Sequence, residues 1–517
     1  MNSPRDPQAG AFSDAPPTTL AGHLTVAGQF AKRVAMQPGA IALTDGTRSL
    51  TYGELAQRVA QLAGALRASG LRRGDRVAMW SENGFEYIEL ELAAAQLGLI
   101  VACLNWRLTA EEQRHCIRLV APSLVIVSPR YLPALLRLGE VAPAHLVLGE
   151  IFEAWRNAAQ PVPPDESVSP EDGLVILYTS GTTGLPKGAL VSQRAMVARA
   201  MVFSADYGIR GSDGFIAWSP LFHMAATDHS LATLMLGGQV MLCDGLDLPR
   251  ILDWAETEPL GWLLAMPGMI EPMIDQLRAR GRKPLSVRML GAMADLVPRH
   301  QIAELSGLVG APYLNSFGST ETGLPPCSGA LLPAGEVPAS LDKRESSWCE
   351  VRLVDEEDRE APPGTPGEMT VRGPTVFSGY WGNEAATRQD FRGGRFHMGD
   401  VFVRQPDGSL AFVDRLKYLI KSGGENIYPA EIERVLLAHP TVRDAAVVRR
   451  PDARWGEVPV AFVACDNGAW DEAALLAHCR AHLPGYKLPR ELRPIALDAL
   501  PRSSTGKIQR HELEKRL

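Results

Sequence analysis

Short apolar runs alternate with helix-length segments over roughly the first two thirds of the chain. Between residues 52 and 69, apolar side chains recur at spacings of three and four, which predicts an amphipathic helix. The apolar runs are short and rich in Val, Ile and Leu, as is typical of buried strands. This alternation predicts α/β layers with largely parallel strands. The predicted strands are 77–80, 100–103, 124–127, 174–178, 215–218, 239–242, 262–265, 287–290 and 312–314.

The pattern changes after about residue 345. Short strands separated by Gly/Pro turns are predicted there, which is typical of antiparallel structure. The last hundred residues then alternate helix, two strands and helix, which predicts a small α+β unit. The predicted elements are strands 350–354, 367–371, 401–404 and 410–413, helix 429–438, strands 442–448 and 458–464, and helix 471–482.

Composition limits the class of protein. A chain of 517 residues is long enough for two to four domains. Lys and Arg number 52 against 59 Asp and Glu, so no basic excess points to nucleic acid. No apolar run reaches the ~20 residues that span a bilayer, and the first residues lack the apolar core of a signal peptide. Seven cysteines without a CxxC pair are typical of reduced thiols. We therefore expect a cytoplasmic protein, with residues 1–22 as a flexible extension.

A loop rich in glycine and hydroxyl residues follows the strand at 174–178. Residues 177–188 read LYTSGTTGLPKG. Glycines let backbone N–H groups turn toward a polyphosphate, and hydroxyls and a lysine add donors and charge. The loop is not a Walker A motif, because only two residues separate Gly181 from Gly184. The candidate ATP-binding residues of this loop are Thr179, Ser180, Gly181, Thr182, Thr183, Gly184 and Lys187.

The string YTSGTTGLPKG resembles the signature loop of the adenylate-forming enzymes, which include acyl- and aryl-CoA ligases, beetle luciferases and peptide-synthetase adenylation domains. The resemblance covers about residues 30–517. It implies a large N-terminal part of two α/β halves and a distorted β-barrel, followed by a small mobile α+β C-terminal domain. The implied boundaries are 23–414 and 415–517, with the hinge at about Lys417.

Residues 315–323 read NSFGSTETG and follow a predicted strand. Phe317 offers a face for a base to stack on, and Glu321 is a hard oxygen ligand suited to Mg²⁺. The resemblance implies that Phe317 packs on adenine, that Thr320 approaches the α-phosphate and that Glu321 holds Mg²⁺. It places Asp400 of HMGD and Arg415 at the ribose. Further ATP-binding positions are Gly291, Ala292, Ser316 and Gly318.

The segment PRSSTGKI near the C-terminus resembles the final motif of the same family. There the lysine bridges the substrate carboxylate and the α-phosphate, a role that falls to Lys507. A cation between two anions reduces their repulsion and stabilises the pentavalent phosphorus. In relatives, lysine acetyltransferases modify this pattern, so an acetyltransferase acting on Lys507 is one expected partner; a homodimer is another.

The residues PLFH, at 220–223, resemble the wall of the family's acyl pocket. His223 stands where amino-acid-activating relatives carry an aspartate, which argues against an amino-acid substrate; Asp228, five residues on, is a weaker substitute. A packed core histidine remains the alternative. The neighbouring segments are apolar and rich in methionine, which adapts to several shapes. The candidate acyl-pocket residues are Trp218, His223, Met224, Met266, Gly291 and Asn315.

The CoA site has weaker signals. Gly423 and Gly424 allow positive φ and close approach to a ligand, and the resemblance places them against the pantetheine arm. Trp455, Tyr486 and Arg490 resemble the place where aryl-CoA ligases hold the nucleotide end of CoA. Surface packing and solvated charge are the alternative for these three.

These motifs predict a ligase that uses ATP, Mg²⁺ and coenzyme A to join a hydrophobic aryl or medium-length acyl acid to CoA through an acyl-adenylate. The catalytic candidates are Lys507, His223, Thr320 and Glu321. A stand-alone enzyme that loads a carrier protein stays open, because a carrier presents the same pantetheine arm. A ligand-binding pseudoenzyme is disfavoured by the intact charged positions, which are Lys187, Glu321, Asp400, Arg415 and Lys507.

Overall fold

The computed structural model describes residues 21–139, 144–179, 185–466, 469–502 and 508–517. The predicted roles of 180–184 and of Lys507, and the predicted extension at 1–22 apart from its last two residues, lie outside the described residues. The described chain forms two compact units. Unit 1 contains the residues up to Leu341 together with Glu345–Glu350 and Gly373–Gln389. Unit 2 contains Asp342–Arg344, Val351–Arg372 and Asp390–Leu517.

Unit 1 contains a six-stranded sheet with the spatial order β6-β5-β3-β4-β7-β8. Its strands are parallel except for the hairpin of β7 and β8. The strands are almost entirely apolar, as expected when both faces of a parallel sheet are covered. Their bounds are β3 Arg76–Trp80, β4 Ile100–Cys103, β5 Leu124–Val127, β6 His145–Val147, β7 Gly173–Thr179 and β8 Lys187–Ser192.

An eight-stranded sheet forms the second half of unit 1, in the order β16-β13-β12-β11-β9-β10-β1-β2. Its six central strands are parallel, and β2 and β16 are antiparallel edges. Its strands are β1 Ile41–Thr44, β2 Ser49–Thr51, β9 Gly214–Ala217, β10 Val240–Leu242, β11 Pro259–Leu263, β12 Ser286–Leu290, β13 Tyr313–Leu314 and β16 Leu331–Leu332. A separate short hairpin is formed by β14 Gly318–Ser319 and β15 Gly323–Pro326.

Helices connect these strands, and several have strong local start signals. Helix α2 begins after Thr51, whose hydroxyl accepts from the Glu54 N–H while the Glu54 carboxylate accepts from the Thr51 N–H, a reciprocal capping box. The described helices of unit 1 are α1 Val26–Met36, α2 Tyr52–Ala68, α3 Phe85–Leu97, α4 Ala110–Val120, α5 Leu132–Leu136, α6 Glu150–Asn157, α7 Gln193–Tyr207, α8 Met224–Leu236, α9 Leu248–Thr257, α10 Ile270–Arg280, α11 Arg299–Val309 and α12 Glu384–Asp390, which ends one residue beyond unit 1.

Unit 2 combines two sheets. One has four strands in the order β17-β18-β19-β20, and the other has β22-β21-β24-β23 with β25 parallel to β24. Helices α13 and α14 pack on the second sheet around a core that includes Ile432, Val447 and Leu475. The bounds are β17 Glu350–Val354, β18 Pro366–Arg372, β19 Phe396–Arg404, β20 Leu410–Arg415, β21 Ile420–Ser422, β22 Glu425–Ile427, α13 Pro429–Leu437, β23 Val442–Asp452, β24 Gly456–Cys465, α14 Glu472–His482, β25 Glu491–Pro494 and α15 Arg510–Glu514.

The sequence pattern predicted 15 of the 25 described strands, and its three bounded helices, 52–69, 429–438 and 471–482, match α2, α13 and α14. All nine apolar runs of the first part overlap a strand, although β11 begins at Pro259, three residues before the predicted run. The run's last two residues, 264 and 265, lie beyond the strand, before the 3-10 turn at Pro267–Met269. Strand β8 was not predicted, because Lys187 and Gly188 at its start read as loop residues. The domain boundary at 415 stays a prediction.

The structure describes all seven cysteines, and none of them is in a disulfide bond. Across the described residues, no helix has the length and apolar character needed to cross a bilayer.

Candidate active site

The β7–β8 hairpin fixes the two ends of the predicted phosphate loop. Thr179, at the end of β7, pairs with Lys187, at the start of β8. The Lys187 ammonium lies 4.5 Å from the centre of the Tyr380 ring, in a cation–π contact. The antiparallel register therefore places the lysine beside the point where the loop leaves the sheet. Tyr380 was not identified from the sequence, where it lies in an unremarkable SGYW segment.

The Thr320–Glu321 turn lies between β14 and β15 and is held from several directions. The Tyr380 hydroxyl donates to Glu321 Oε1 at 3.1 Å, and the Phe377 N–H donates to the Glu321 carbonyl at 2.8 Å. Gly318 has no room for a side chain, because a Cβ there would lie 2.0 Å from the Gly323 carbonyl oxygen. The carboxylate of Glu321 is thus oriented by a neutral hydroxyl.

The donor set at this turn fits a magnesium ion that is shared with a substrate. Within the described part of the chain, no group of three or more His, Cys, Asp or Glu side chains could hold a metal. Magnesium in nucleotide enzymes is usually bound by one or two carboxylates together with the phosphates of the substrate. A single hard carboxylate, Glu321, therefore suits a metal that arrives with ATP.

Another part of the candidate site lies where β12 and β13 end. Gly291 has φ +78°, and a Cβ there would lie 2.2 Å from Tyr313 Cζ, so only glycine fits. The Tyr313 hydroxyl donates to the Ala292 carbonyl at 2.9 Å. The Met293 N–H donates to the Ser316 hydroxyl at 2.9 Å. Because the carboxyl ends of neighbouring parallel strands meet at one edge of a sheet, Gly291, Ala292 and Ser316 come together; their role in binding nucleotide stays a prediction.

Phe317 is half-buried, and its N–H donates to the Ser328 hydroxyl at 2.8 Å, which fixes its backbone beside Ser316. Asn315 is fully buried, and its amide donates to the Leu341 carbonyl at 3.0 Å. The amide of Asn315 is therefore engaged with the backbone. Asn315 therefore supports the backbone of the candidate site through this hydrogen bond.

His223 immediately precedes helix α8, whose first residue is Met224. Burial, with a smaller contribution from the Arg107 charge, lowers the pKa of His223 to about 4, so the ring is neutral near pH 7. Its Nε2 is buried and has no hydrogen-bond partner among the described residues. An unpaired buried nitrogen is costly and often belongs to a ligand site.

Two other candidate residues of the acyl pocket, Trp218 and Met266, follow strands of the eight-stranded sheet. Trp218 follows β9, and its indole N–H donates to the Leu264 carbonyl at 2.9 Å. Met266 follows β11, and both side chains pack against the apolar core of this half. Trp218 and Met266 therefore follow adjacent parallel strands at one edge of the sheet, so they can share one apolar surface.

Asp228 is unavailable for an amino group. Its carboxylate is 2% exposed and forms an ion pair with Arg199, with 2.9 Å between Nη1 and Oδ2. The weaker alternative of an amino-acid substrate held by Asp228 therefore has no support in the structure.

Unit 2 contains the residues predicted for the ribose. Asp400 on β19 pairs with Arg415 on β20, and the guanidinium donates to both carboxylate oxygens, at 2.8 and 3.2 Å. Asp400 is 2% exposed. The bidentate geometry is strong and directional. It holds the aspartate and the arginine as a single preformed group.

The predicted CoA residues of unit 2 converge in part. Gly423 has φ +61°, and a Cβ there would lie 2.6 Å from the Trp455 ring. The guanidinium groups of Arg454 and Arg490 lie 4.8 and 5.7 Å from the same indole. Trp455 and Tyr486 are both exposed, at 36% and 45%. The structure thus brings Gly423, Trp455 and Arg490 together and adds Arg454, which sequence reasoning missed although it is adjacent to Trp455.

Lys417 lies in a short 3-10 turn, Leu416–Tyr418, between β20 and β21. The turn is closed by a hydrogen bond from the Leu419 N–H to the Leu416 carbonyl at 3.1 Å. Tyr418 is packed beneath the guanidinium of Arg510, at 4.4 Å. Lys417 itself therefore makes no contribution to the hydrogen bond that closes the turn.

Comparison with known proteins identifies the family. The AMP-binding enzyme family matches residues 30–381, and its C-terminal domain family matches residues 431–507. Feruloyl-CoA synthase of an Amycolatopsis species is 36% identical over 94% of this chain and 97% of its own. Indoleacetate–CoA ligase of Aromatoleum aromaticum is 34% identical over 94% and 96%. The chain therefore belongs to the family of AMP-binding, adenylate-forming enzymes and is an acid–CoA ligase of the AMP-forming type.

Solved structures agree in fold along nearly the whole chain. ATP-bound MatB of Rhodopseudomonas palustris superimposes with a TM-score of 0.82 at 27% identity, covering 95% of this chain and 99% of that one. The o-succinylbenzoate CoA synthetase of Bacillus subtilis, in complex with its acyl-adenylate intermediate, gives 0.82 at 26% identity, covering 94% and 97%. The predicted architecture, a large N-terminal AMP-binding part and a small C-terminal domain, is confirmed.

Proposed function

We propose that this enzyme converts an aromatic carboxylic acid into its CoA thioester through an acyl-adenylate. The observation that carries the proposal is the set of relatives. Ligases named for ferulate, indoleacetate and 2-succinylbenzoate match nearly the full length at 36%, 34% and 34% identity. The apolar surface around Trp218 and Met266 agrees with an aromatic substrate, since it supplies packing contacts and few polar groups.

In the first half-reaction, a carboxylate oxygen of the substrate attacks the α-phosphorus of ATP, and pyrophosphate leaves. Lys187 and the loop after Thr179 hold the phosphates, and Thr320 contacts the α-phosphate. The role that falls to Lys507 is to bridge the substrate carboxylate and the α-phosphate and to stabilise the charge that builds up on the phosphorus. Glu321 would hold Mg²⁺, which when bound would neutralise phosphate charge. Positioning and charge stabilisation supply the acceleration, and no side-chain nucleophile takes part.

In the second half-reaction, the CoA thiolate attacks the acyl carbon and AMP leaves. Neutral His223, at the proposed acyl wall, can hydrogen-bond the acyl carbonyl oxygen of the adenylate without adding charge. Gly424, which has no atom within 4 Å of its Cβ position, gives the pantetheine arm close access to the backbone. The indole of Trp455, flanked by Arg454 and Arg490, can stack on the adenine of CoA while the guanidinium groups pair with its phosphates.

The test is a panel of acids assayed for pyrophosphate release, with and without CoA. The panel holds hydroxycinnamic, arylacetic and benzoic acids beside straight-chain acids of matched carbon number. We expect the highest kcat/KM for an aromatic acid, with thioester formed only when CoA is present. A straight-chain acid that outperforms every aromatic one would contradict the aromatic assignment and leave adenylation intact.

The acceptor is tested by competition. Free CoA and a phosphopantetheinylated carrier protein are supplied together after the adenylate has formed. We expect acyl transfer to CoA, in agreement with the relatives that are named CoA ligases. Preferential acylation of the carrier would support the alternative of a carrier-loading enzyme.

Acylation of Lys507 and a homodimeric state are further parts of this proposal. Acetylation removes the positive charge that the first half-reaction needs. Mass spectrometry of protein from its native host tests the modification, and full activity of a homogeneously acetylated sample would exclude control by this route. Light scattering at assay concentrations tests the dimer.

A further inference from the structure

A buried guanidinium supports the turn that carries Thr320 and Glu321. Arg199 lies on α7 and is fully buried. Its Nη2 donates to the Thr320 carbonyl at 3.2 Å, and its Nε donates to the Thr375 carbonyl at 3.1 Å. Its Nη1 donates to Asp228 Oδ2 on α8 at 2.9 Å. One planar side chain thus joins two helices and two backbone segments.

The two carbonyls that Arg199 holds belong to the two backbone segments that fix Glu321. The segment after Thr375 returns to the turn, because the Phe377 N–H donates to the Glu321 carbonyl and the Tyr380 hydroxyl donates to Glu321 Oε1. A movement of either carbonyl therefore changes the direction of the carboxylate.

The turn also packs directly on the stem of the arginine. Gly323 has φ +77°, and a Cβ there would lie 2.7 Å from Arg199 Cδ and 2.8 Å from Arg199 Nε. Two independent features, the carbonyl bond and the close approach of the glycine, therefore set the distance between α7 and the turn. A shorter side chain at 199 would remove both constraints.

At its other end, the guanidinium is fixed by Asp228. This carboxylate is buried, its Oδ1 has no hydrogen-bond partner among the described residues, and burial raises its pKa in spite of the arginine charge. Buried ion pairs are generally poor sources of stability, and apolar pairs of similar volume often replace them without loss. Asp228 lies on the helix that follows His223, so the pair links the predicted acyl wall to the predicted nucleotide turn.

We propose that Arg199 is a positioning residue for adenylation: held by Asp228, it fixes the Thr320 backbone so that Thr320 and Glu321 meet the α-phosphate and its magnesium ion in the reactive geometry. The inference rests on the proposed function. It concerns the first half-reaction, because the proposed ligands of the Thr320–Glu321 turn are the α-phosphate of ATP and its magnesium ion. The CoA thiol is not among these proposed ligands.

The test uses the double variant Arg199→Met/Asp228→Leu, which removes both charges together and leaves no buried ion without its partner. The matched control is Arg194→Met on the same helix. Arg194 donates to the carbonyls of Pro374 and Val376, close to Thr375, and has no hydrogen bond to Thr320. Both proteins are measured for adenylation, for thioester formation from preformed aryl-adenylate, and for Mg²⁺-dependent binding of a non-hydrolysable ATP analogue by calorimetry.

We expect adenylation by the double variant to fall on the order of 10²-fold, the scale of a small misplacement of reacting groups. The Mg²⁺ concentration for half-maximal binding of the analogue should rise, and thioester formation should stay within about threefold. Arg194→Met should stay near wild type in all three measurements. Arg199→Lys, which keeps the charge beside Asp228 and cannot span both carbonyls, should show a smaller loss in the same direction.

A folded double variant with wild-type adenylation and Mg²⁺ response would overturn the inference. Equal loss in both half-reactions would also overturn it, and so would failure of both Arg199 variants to fold, which would assign the pair to stability alone. Failure of the proposed function is a separate result, because the wild-type protein would then release no pyrophosphate with any acid. Mg²⁺-dependent binding of the ATP analogue would still show whether Arg199 positions the Thr320–Glu321 turn.

Discussion

Tyr380 contacts both Glu321 and Lys187: its hydroxyl donates to Glu321 Oε1 at 3.1 Å, and its ring centre lies 4.5 Å from Lys187 Nζ. The three residues come from segments that are far apart in the sequence. One aromatic side chain therefore orients the acid proposed for Mg²⁺ and the lysine proposed for phosphate. Since its hydroxyl and its ring contact different partners, the two contacts can be tested separately.

Tyr380→Phe should lower adenylation about tenfold, because a hydrogen bond to a charged group contributes about 1.5–3 kcal/mol. The half-saturating Mg²⁺ concentration should rise, since the carboxylate is less well oriented. Tyr380→Leu also removes the cation–π contact and should lose more. Pyrophosphate release across an Mg²⁺ titration measures both effects. Adenylation by the phenylalanine variant at the wild-type rate would show that the hydroxyl has no orienting role.

Lys507→Ala should lose adenylation by on the order of 10²–10³-fold, the cost of one missing preorganised charge contact. Thioester formation from preformed acyl-adenylate should be retained, because the proposed role of the lysine is confined to the first step. The control is Lys515→Ala, which removes an exposed lysine paired with Glu512. Comparable losses in the two half-reactions would contradict the assignment.

Trp455→Ala should raise the KM for CoA by about tenfold or more, because stacking of a base on an aromatic ring contributes roughly 1–3 kcal/mol. Adenylation in the absence of CoA should not change. The matched control is Trp348→Ala, since Trp348 is also an exposed indole, at 58%, and belongs to unit 1. An unchanged KM for CoA in Trp455→Ala would contradict a role in CoA binding and would favour surface packing as the role of Trp455.

His229 should make the fold sensitive to acid. The ring is buried among Phe203, Phe215 and Trp262, and neither ring nitrogen has a hydrogen-bond partner among the described residues. Burial lowers the pKa of His229 from 6.5 to about 3. The contribution to stability is fully present above pH 6.5 and is lost as the pH falls toward 3, because the unfolded chain binds the proton first. At about pH 5 the loss is about 2 kcal/mol.

His229→Leu should therefore show a smaller fall in melting temperature between about pH 7.5 and about pH 5 than the wild-type protein. His300→Leu, at an exposed position, should fall as much as wild type. An equally large fall in His229→Leu would mean that other groups control the acid response.

Lys417→Pro should separate the two half-reactions if the hinge lies at this residue. Proline fixes φ near ~−65° and restricts the preceding residue, so one arrangement of the C-terminal domain is trapped. The hydrogen bond from the Leu419 N–H to the Leu416 carbonyl does not use the Lys417 N–H that proline removes. We expect adenylation within about tenfold of wild type and thioester formation lowered on the order of 10²-fold. Pyrophosphate and thioester are measured separately.

Lys417→Ala is the control, because it removes the charge, leaves the backbone free and should keep both steps. A proline variant that is folded and either keeps both activities or loses them equally would place the hinge elsewhere.

Local patterns were sufficient for much of the site. The glycine and hydroxyl pattern around Thr179 and Lys187, and the aromatic and acidic pattern at Phe317 and Glu321, are contiguous in sequence and could be identified without a structure. Tyr380, Arg199 and Arg454 could not be, because their importance comes from the partners that they contact and not from the residues beside them in the chain. The proposed CoA site was identified only in part: Trp455 and Arg490 were identified from the sequence, and Arg454 was not.

The sequence by itself determined the order of the elements, the parallel α/β layers and the motifs that place the chain among adenylate-forming enzymes. These features depend on apolar periodicity, glycine and short-range capping, which act over a few residues. Only the tertiary structure decided that Lys187 begins a strand, that Asp228 is an ion-pair partner of Arg199, and that Gly291 must be glycine because Tyr313 fills its space. Each of these depends on the register of strands or on contacts between distant segments, and that information arises only when the sheets are assembled.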